Sequence, residues 1–255
     1  MEHTGQLAVL AHLALACATM FVYAVLRPPL PDRVAKYRGI LAFMGGWAYW
    51  VTSPVLAVAR SMHLTPSVVT GLGFGLNVLA GIFAGLGAFG WAFVGLLWGS
   101  AADMLDGELA RRTGTSSRAG AFLDSNLDRV SEIALLAGVG FALHPQRVGV
   151  ICAVAALAAS FMVSYARARG EGLGVACPAF GLERTHRMVV FIFAMLGVTF
   201  LSGQAGADLL TYACGFVALG AGLTALGRMV IIHQLLRRAA GPSRDWHETP
   251  PGTMP

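Results

Sequence analysis

Long runs of apolar residues, unbroken by Asp, Glu, Lys or Arg, dominate this chain and set its expected architecture. Residues 7–26 form the first run, and a bilayer-spanning helix needs roughly 20 such residues. A second run begins after Arg60 and meets no charge until Asp103. At ~1.5 Å per residue it holds two spanning helices and a turn. Residues 87–90, glycine at both ends, mark that turn and predict helices at 67–86 and 91–110. Further helices are predicted at 120–143, 148–166, 188–201 and 209–232, joined by His144-Pro145 and by residues 203–208. The pattern is that of an all-α, polytopic membrane helix bundle. The first run lacks a small-residue cleavage site and reads as an anchor, not a removed signal.

Residues 40–59 are apolar enough to span, and charge placement argues against it. Basic residues cluster at 27–38, 111–118, 167–187 and 228–244, with only Arg147 in a loop of opposite parity. Such clusters stay on the cytoplasmic side. A spanning 40–59 would carry Arg27, Arg33, Lys36 and Arg38 to the other face. Trp47, Tyr49 and Trp50 suit the interface, and Gly45, Gly46 and Pro54 weaken a straight helix, so an interfacial helix is expected there. The chain then divides into a 1–38 extension with one transmembrane helix and a linker, a 39–236 membrane domain, and a disordered cytoplasmic tail over 237–255.

Composition agrees: 56% of residues are apolar and 12% charged, about half the ~25% of soluble domains. Disorder, a disulfide scaffold and a soluble enzyme are excluded. The 32 glycines fit helices that approach closely in lipid. Net charge is +5, carried by 18 basic residues of which only Lys36 is not arginine. No basic run is long enough for a nucleic-acid arm, and the charge reads as an orientation signal. Cys17, Cys152, Cys177 and Cys214 are far apart and read as small core residues.

The few intramembrane acids gather in one place. Asp103 and Asp106 are three apart near the end of one helix, and Asp124 and Asp128 four apart at the start of the next, so each pair shares a helical face. Charges inside spanning helices cost roughly 2.5–3.5 kcal/mol each and mark function. Four like charges persist together only if several are protonated or cations are bound. An all-oxygen donor set selects a hard ion such as Mg²⁺ or Mn²⁺, and two ions suit phosphoryl transfer. Gly107 and Gly120 leave the backbone bare for a phosphate ligand, and Arg111 offers it a guanidinium fork.

The full arrangement is Asp103-x-x-Asp106-Gly107-x-x-Ala110-Arg111, eight residues, then Gly120-x-x-x-Asp124-x-x-x-Asp128. It resembles the signature of the CDP-alcohol phosphotransferases, integral membrane enzymes that make phospholipid headgroups, over residues 64–233. The resemblance implies six core transmembrane helices after an interfacial helix, a homodimer, and two divalent ions on Asp103, Asp106, Asp124 and Asp128. It further implies Asp128 as general base, a CDP-linked alcohol such as CDP-diacylglycerol as donor, and CMP as leaving group. Gly107, Ala110, Arg111 and Gly120 would line the nucleotide. Thr70, in a Pro66-Ser67-Val68-Val69-Thr70 stretch resembling the family's Pro-Asn-x-x-Thr, would contact the cytidine.

The acceptor is read from the remaining basic residues. Ser164-Tyr165-Ala166-Arg167-Ala168-Arg169 ends one helix and Glu183-Arg184-Thr185-His186-Arg187 opens the next. Arginines beside a metal site favour an anionic acceptor. Both stretches, with Leu123-Asp124-Ser125-Asn126-Leu127-Asp128-Arg129, resemble the phosphatidylinositol phosphate synthase branch. By that resemblance Arg167, Arg169, Arg187 and Arg184 hold the phosphate of inositol 1-phosphate. Glycerol 3-phosphate, serine, or a CDP-inositol donor giving di-inositol phosphate are alternatives within the same chemistry. Outside it stands a divalent cation transporter, whose sites usually lie at the midplane between inverted repeats; none is evident here.

Overall fold

The computed structural model describes residues 1–30, 34 and 38–240, and all regular structure among them is helical. The helices are α1 (Glu2–Leu26), α2 (Ile40–Ser61), α3 (Pro66–Gly85), α4 (Phe89–Thr113), α5 (Arg118–Ala142), α6 (Arg147–Gly172), α7 (Arg184–Phe200) and α8 (Gly203–Ala240). The tail from Gly241, with Arg244, and the linker residues Arg33 and Lys36 lie outside the described residues. Four helices, α1, α3, α6 and α8, are long and apolar enough to cross a membrane. Helices α4 and α5 carry the aspartates, which lower their apolar character, and α7 has 17 residues. Helix α2 is not among the four.

Local chemistry sets the boundaries nearest the aspartates. Thr65 caps α3 by accepting the Val68 N–H at 3.4 Å, with Pro66 following at the first helical position. Gly114 ends α4 in the left-handed conformation at φ 67°. Three residues later Ser117 caps α5 by accepting the Gly120 N–H at 3.0 Å. The turn between α4 and α5 is therefore short and fixed at both ends, which holds the two aspartate pairs at one end of the bundle.

Two expectations shift. The turn before α4 is residues 86–88, with Gly87 at φ 72°, and Gly90 already lies inside the helix against Gly5 of α1. Helix α8 starts at Gly203 and runs to Ala240, absorbing the expected 203–208 connection and the first residues assigned to the tail. Asp208 lies inside that helix, one turn beyond Gln204, and accepts from Gln204 Nε2 at 2.7 Å.

Small residues govern the packing. Helix α3 lies against α4 and α5, α6 against α8, and α7 against α4 and α8. One core runs through Leu96, Leu135, Val139, Phe191, Met195, Leu210 and Val217. A second joins Leu56 of α2 to Val69, Ala102, Leu105 and Leu109 beneath the aspartates. Where α3 crosses α5, a Cβ on Gly138 would lie 1.9 Å from the Gly81 carbonyl oxygen. Helix α1 is hooked to the bundle by Trp98 Nε1 donating to His12 Nε2 at 3.0 Å and by Gln6 Nε2 donating to the Thr199 carbonyl at 3.1 Å.

Replacing Gly138 by Val should force α3 and α5 apart and destabilise the bundle by about 1–3 kcal/mol or more. A thermal melt in detergent would show a lowered midpoint, and an unchanged midpoint would contradict the close crossing.

Candidate active site

The four aspartates come from two helices and are brought to one depth by the short α4–α5 turn. Their fields overlap: Asp106 is repelled by Asp124 and Asp103, and Asp128 by all three others. Asp106 is buried, and its Oδ2 accepts from the Thr70 hydroxyl at 2.6 Å, so Thr70 of α3 orients this carboxylate across the helix interface. Arg184, at the start of α7, bridges the outer pair. Its Nη1 lies 2.9 Å from Asp103 Oδ2 and 2.8 Å from Asp128 Oδ1.

Two cavities flank this cluster. The first, about 380 Å³, is lined by Thr70, Gly107, Ala110, Arg111 and Gly120 together with Asp106 and Asp124. All five residues expected to line a nucleotide thus face one space, and two aspartates face it with them. Glu108, assigned no role from sequence, accepts from Arg111 Nη2 at 2.9 Å and from Arg112 Nε at 2.7 Å and so directs both guanidinium groups. A Cβ on Gly107 would sit 3.2 Å from Arg111 Nη1, so a bare backbone there lets the arginine fold over the helix.

The second cavity, about 440 Å³, is lined by Asp128, Arg167, Arg184, Arg187, Arg228 and Glu183, among others, and shares Ala121 with the first. Arg169 is not part of it. Residues two apart on a helix point ~200° away from each other, so Arg167 and Arg169 cannot face the same cavity, and Arg169 is exposed elsewhere. Arg187 reaches the cavity wall and is wholly buried. Its Nε and Nη2 donate to Glu132 at 2.6 and 2.9 Å, and its Nη1 donates to the Leu182 carbonyl at 2.9 Å. All three nitrogens hold protein groups, so Arg187 braces the wall of the cavity it lines, and the second N–H of each Nη is what remains for the expected phosphate.

Arg228 was missed as a site residue because it was counted with the orienting cluster at the end of the last helix. It is 3% exposed, its Nη2 donates to Glu183 Oε1 at 3.0 Å, and its Nε is buried without a partner. An arginine inside an apolar helical run was the available signal. Glu132 gave the same signal, one turn beyond Asp128.

A sequence profile of the CDP-alcohol phosphatidyltransferases matches residues 63–232. The chain belongs to that family. It is 36% identical over 194 residues to a phosphatidylinositol phosphate synthase of Streptomyces avermitilis, covering 72% of this chain and 78% of that one. It is also 36% identical over 140 residues to an archaetidylinositol phosphate synthase of Pyrococcus horikoshii, covering 53% and 71%. The Mycobacterium tuberculosis phosphatidylinositol phosphate synthase with CDP-DAG bound superposes with a TM-score of 0.64 at 27% identity, covering 71% of this chain and 93% of that one. The same enzyme in complex with manganese and citrate gives 0.65, covering 71% and 88%. This family member is a membrane-integral transferase of phospholipid biosynthesis, and its four aspartates are the candidate metal ligands. They supply hard oxygen donors that already hold a cation, the Arg184 guanidinium, between Asp103 and Asp128. That donor set fits Mg²⁺ or Mn²⁺. Among the described residues no three acidic, His or Cys side chains form a ready-made cage.

Breaking the Arg187–Glu132 pair by Glu132→Ala leaves a buried, uncompensated guanidinium and should cost about 3–5 kcal/mol. The double variant Arg187→Met, Glu132→Leu should recover most of that stability in a thermal melt while acceptor turnover stays impaired. Recovery of full turnover would place both residues outside the site's support.

Proposed function

We propose that this transferase moves the phosphatidyl group of CDP-diacylglycerol to inositol 1-phosphate, releasing CMP and forming phosphatidylinositol phosphate. The observation that carries the reading is the arginine-rich cavity beside Asp128, which adjoins a separate cavity holding the nucleotide-type residues. A donor site and an anion site meet at the first turns of α5. The relatives named for phosphatidylinositol phosphate and archaetidylinositol phosphate synthesis support the same acceptor.

In this reading Thr70, Gly107, Ala110, Arg111 and Gly120 bind the CDP moiety. Arg167 and Arg184 take the acceptor phosphate, Arg228 extends that wall, and Arg187 keeps it in place. Asp128 removes the proton from the acceptor hydroxyl, whose oxygen attacks the phosphorus bonded to diacylglycerol. The bond from that phosphorus to the bridging oxygen of CMP breaks, and CMP leaves with the electron pair. Asp103, Asp106, Asp124 and Asp128 would hold two Mg²⁺ or Mn²⁺ ions, whose charge neutralises the pyrophosphate and the departing CMP.

The same reading sets the topology. Helices α3 to α8 form the six-helix core of a membrane domain over 39–236 that also includes the interfacial α2, and α1 is an added transmembrane helix of the 1–38 extension. Tyr23 of α1 meets Phe43 and Trp50 of α2 with ring centroids 5.3 and 5.9 Å apart, which suits an interfacial α2 held to α1. The site faces the cytoplasm from the inner membrane, and the enzyme works as a homodimer.

The test is CMP release by purified protein with Mg²⁺ or Mn²⁺, CDP-diacylglycerol, and a panel of inositol 1-phosphate, glycerol 3-phosphate, inositol and serine. Turnover should require inositol 1-phosphate, and turnover with another acceptor in its place overturns the assignment. Asp128→Asn should lower kcat by about 10²–10⁴-fold. Arg167→Ala should raise the acceptor KM more than it changes the CDP-diacylglycerol KM. For topology, single cysteines placed at Arg38 and Ser61 should both be labelled from the cytoplasmic face, and labelling from opposite faces would make α2 a spanning helix.

A further inference from the structure

Arg184 stands at the boundary between the two halves of the site. Its Nη1 contacts one carboxylate oxygen on α4 and one on α5, so a single guanidinium from α7 ties three helices together. The three side chains are only 21–24% exposed, so the contact is poorly screened. Arg184 also lines the cavity that contains Arg167 and Asp128, and its Nε is buried without a partner. It therefore has unused hydrogen-bonding capacity on the atom nearest its stem while its tip neutralises Asp103 and Asp128.

A guanidinium and a divalent cation cannot hold the same carboxylate oxygens at once, because both like-charge repulsion and volume forbid it. A cation entering between Asp103 and Asp128 must displace the tip of Arg184. A phosphate in the adjoining cavity offers the displaced fork a bidentate anionic partner a short swing away. We propose that Arg184 is a movable internal counter-ion: it shields Asp103 and Asp128 in the empty enzyme and transfers to the acceptor phosphate when the cation takes its place. Metal and acceptor then bind with positive coupling, and the coupling is reciprocal. The second half of this inference rests on the phosphate-bearing acceptor proposed above, and the first half does not. Arg184 is a positioning residue here, and its effect is readable without turnover.

The experiment is Mn²⁺ binding followed by electron paramagnetic resonance on purified protein in detergent, without CDP-lipid. Arg184→Gln should bind Mn²⁺ about five-fold more tightly than the wild type or better, the range of ordinary coupling between sites. Arg169→Gln, an exposed arginine outside both cavities, should leave the affinity unchanged. Saturating inositol 1-phosphate should tighten Mn²⁺ binding by the wild type several-fold and have no such effect on Arg184→Gln. Unchanged or weaker Mn²⁺ binding by a monodisperse Arg184→Gln protein overturns the counter-ion role. Tighter binding by that variant without an inositol 1-phosphate effect on the wild type overturns the coupling. Wild-type CMP release with inositol 1-phosphate, measured in parallel, separates that failure from a wrong choice of acceptor.

Discussion

The structure depends on how four neighbouring carboxylates are kept in a poorly solvated space. An uncompensated buried charge costs several kcal/mol, and like charges a few ångströms apart add to that cost. The fold answers with counterparts brought from neighbouring helices. The Thr70 hydroxyl donates to Asp106, and Arg184 lies between Asp103 and Asp128. Each counterpart comes from a helix other than the one bearing the acid it serves. Helices α3 and α7 therefore have to be positioned as accurately as α4 and α5, and the glycine crossing of α3 with α5 provides part of that accuracy.

The second cavity also balances its charges in pairs, with the signs reversed. Arg167 pairs with Glu171 at 2.9 Å, Arg187 with Glu132 at 2.6 Å, and Arg228 with Glu183 at 3.0 Å. An exposed pair such as Arg167–Glu171 contributes little to stability and gives way readily. The fully buried Arg187–Glu132 pair does not. The cavity thus has one rigid wall and one adaptable rim, an arrangement suited to an anion that must enter, be held and leave as product.

Much of this was legible in the sequence because charge is rare there. The aspartate spacing marked one site, and all the residues expected around the nucleotide do face one cavity. Helix existence followed from apolar runs, and the capping by Thr65, Gly114 and Ser117 that sets the boundaries near the site shifted the expected ends by only a few residues. Reasoning by local spacing failed where direction or partnership decides. Arg167 and Arg169 look equivalent in a string and diverge on a helix. Arg187 looks like a free cation until Glu132, fifty-five residues away, is seen beside it. The α8 boundaries were missed because residues 203–208 were taken as a connection, whereas Gly203 opens the helix and Asp208 already lies inside it.

Arg228 shows why the remainder was hidden. An arginine in an apolar helix is read either as an orientation signal or as an intramembrane functional charge, and hydropathy treats the two alike. Tertiary contact separates them: the guanidinium is 3% exposed, anchored to the Val163 carbonyl at 3.2 Å and to Glu183, with Phe180 5.8 Å below it. An orienting arginine needs water or headgroups around its charge. This one has given them up for protein partners on α6 and on the segment before α7. The charge therefore shapes a cavity instead of marking a side of the membrane. The same comparison of exposure with partnership distinguishes Arg169, which keeps its solvent, from Arg187, which has lost it.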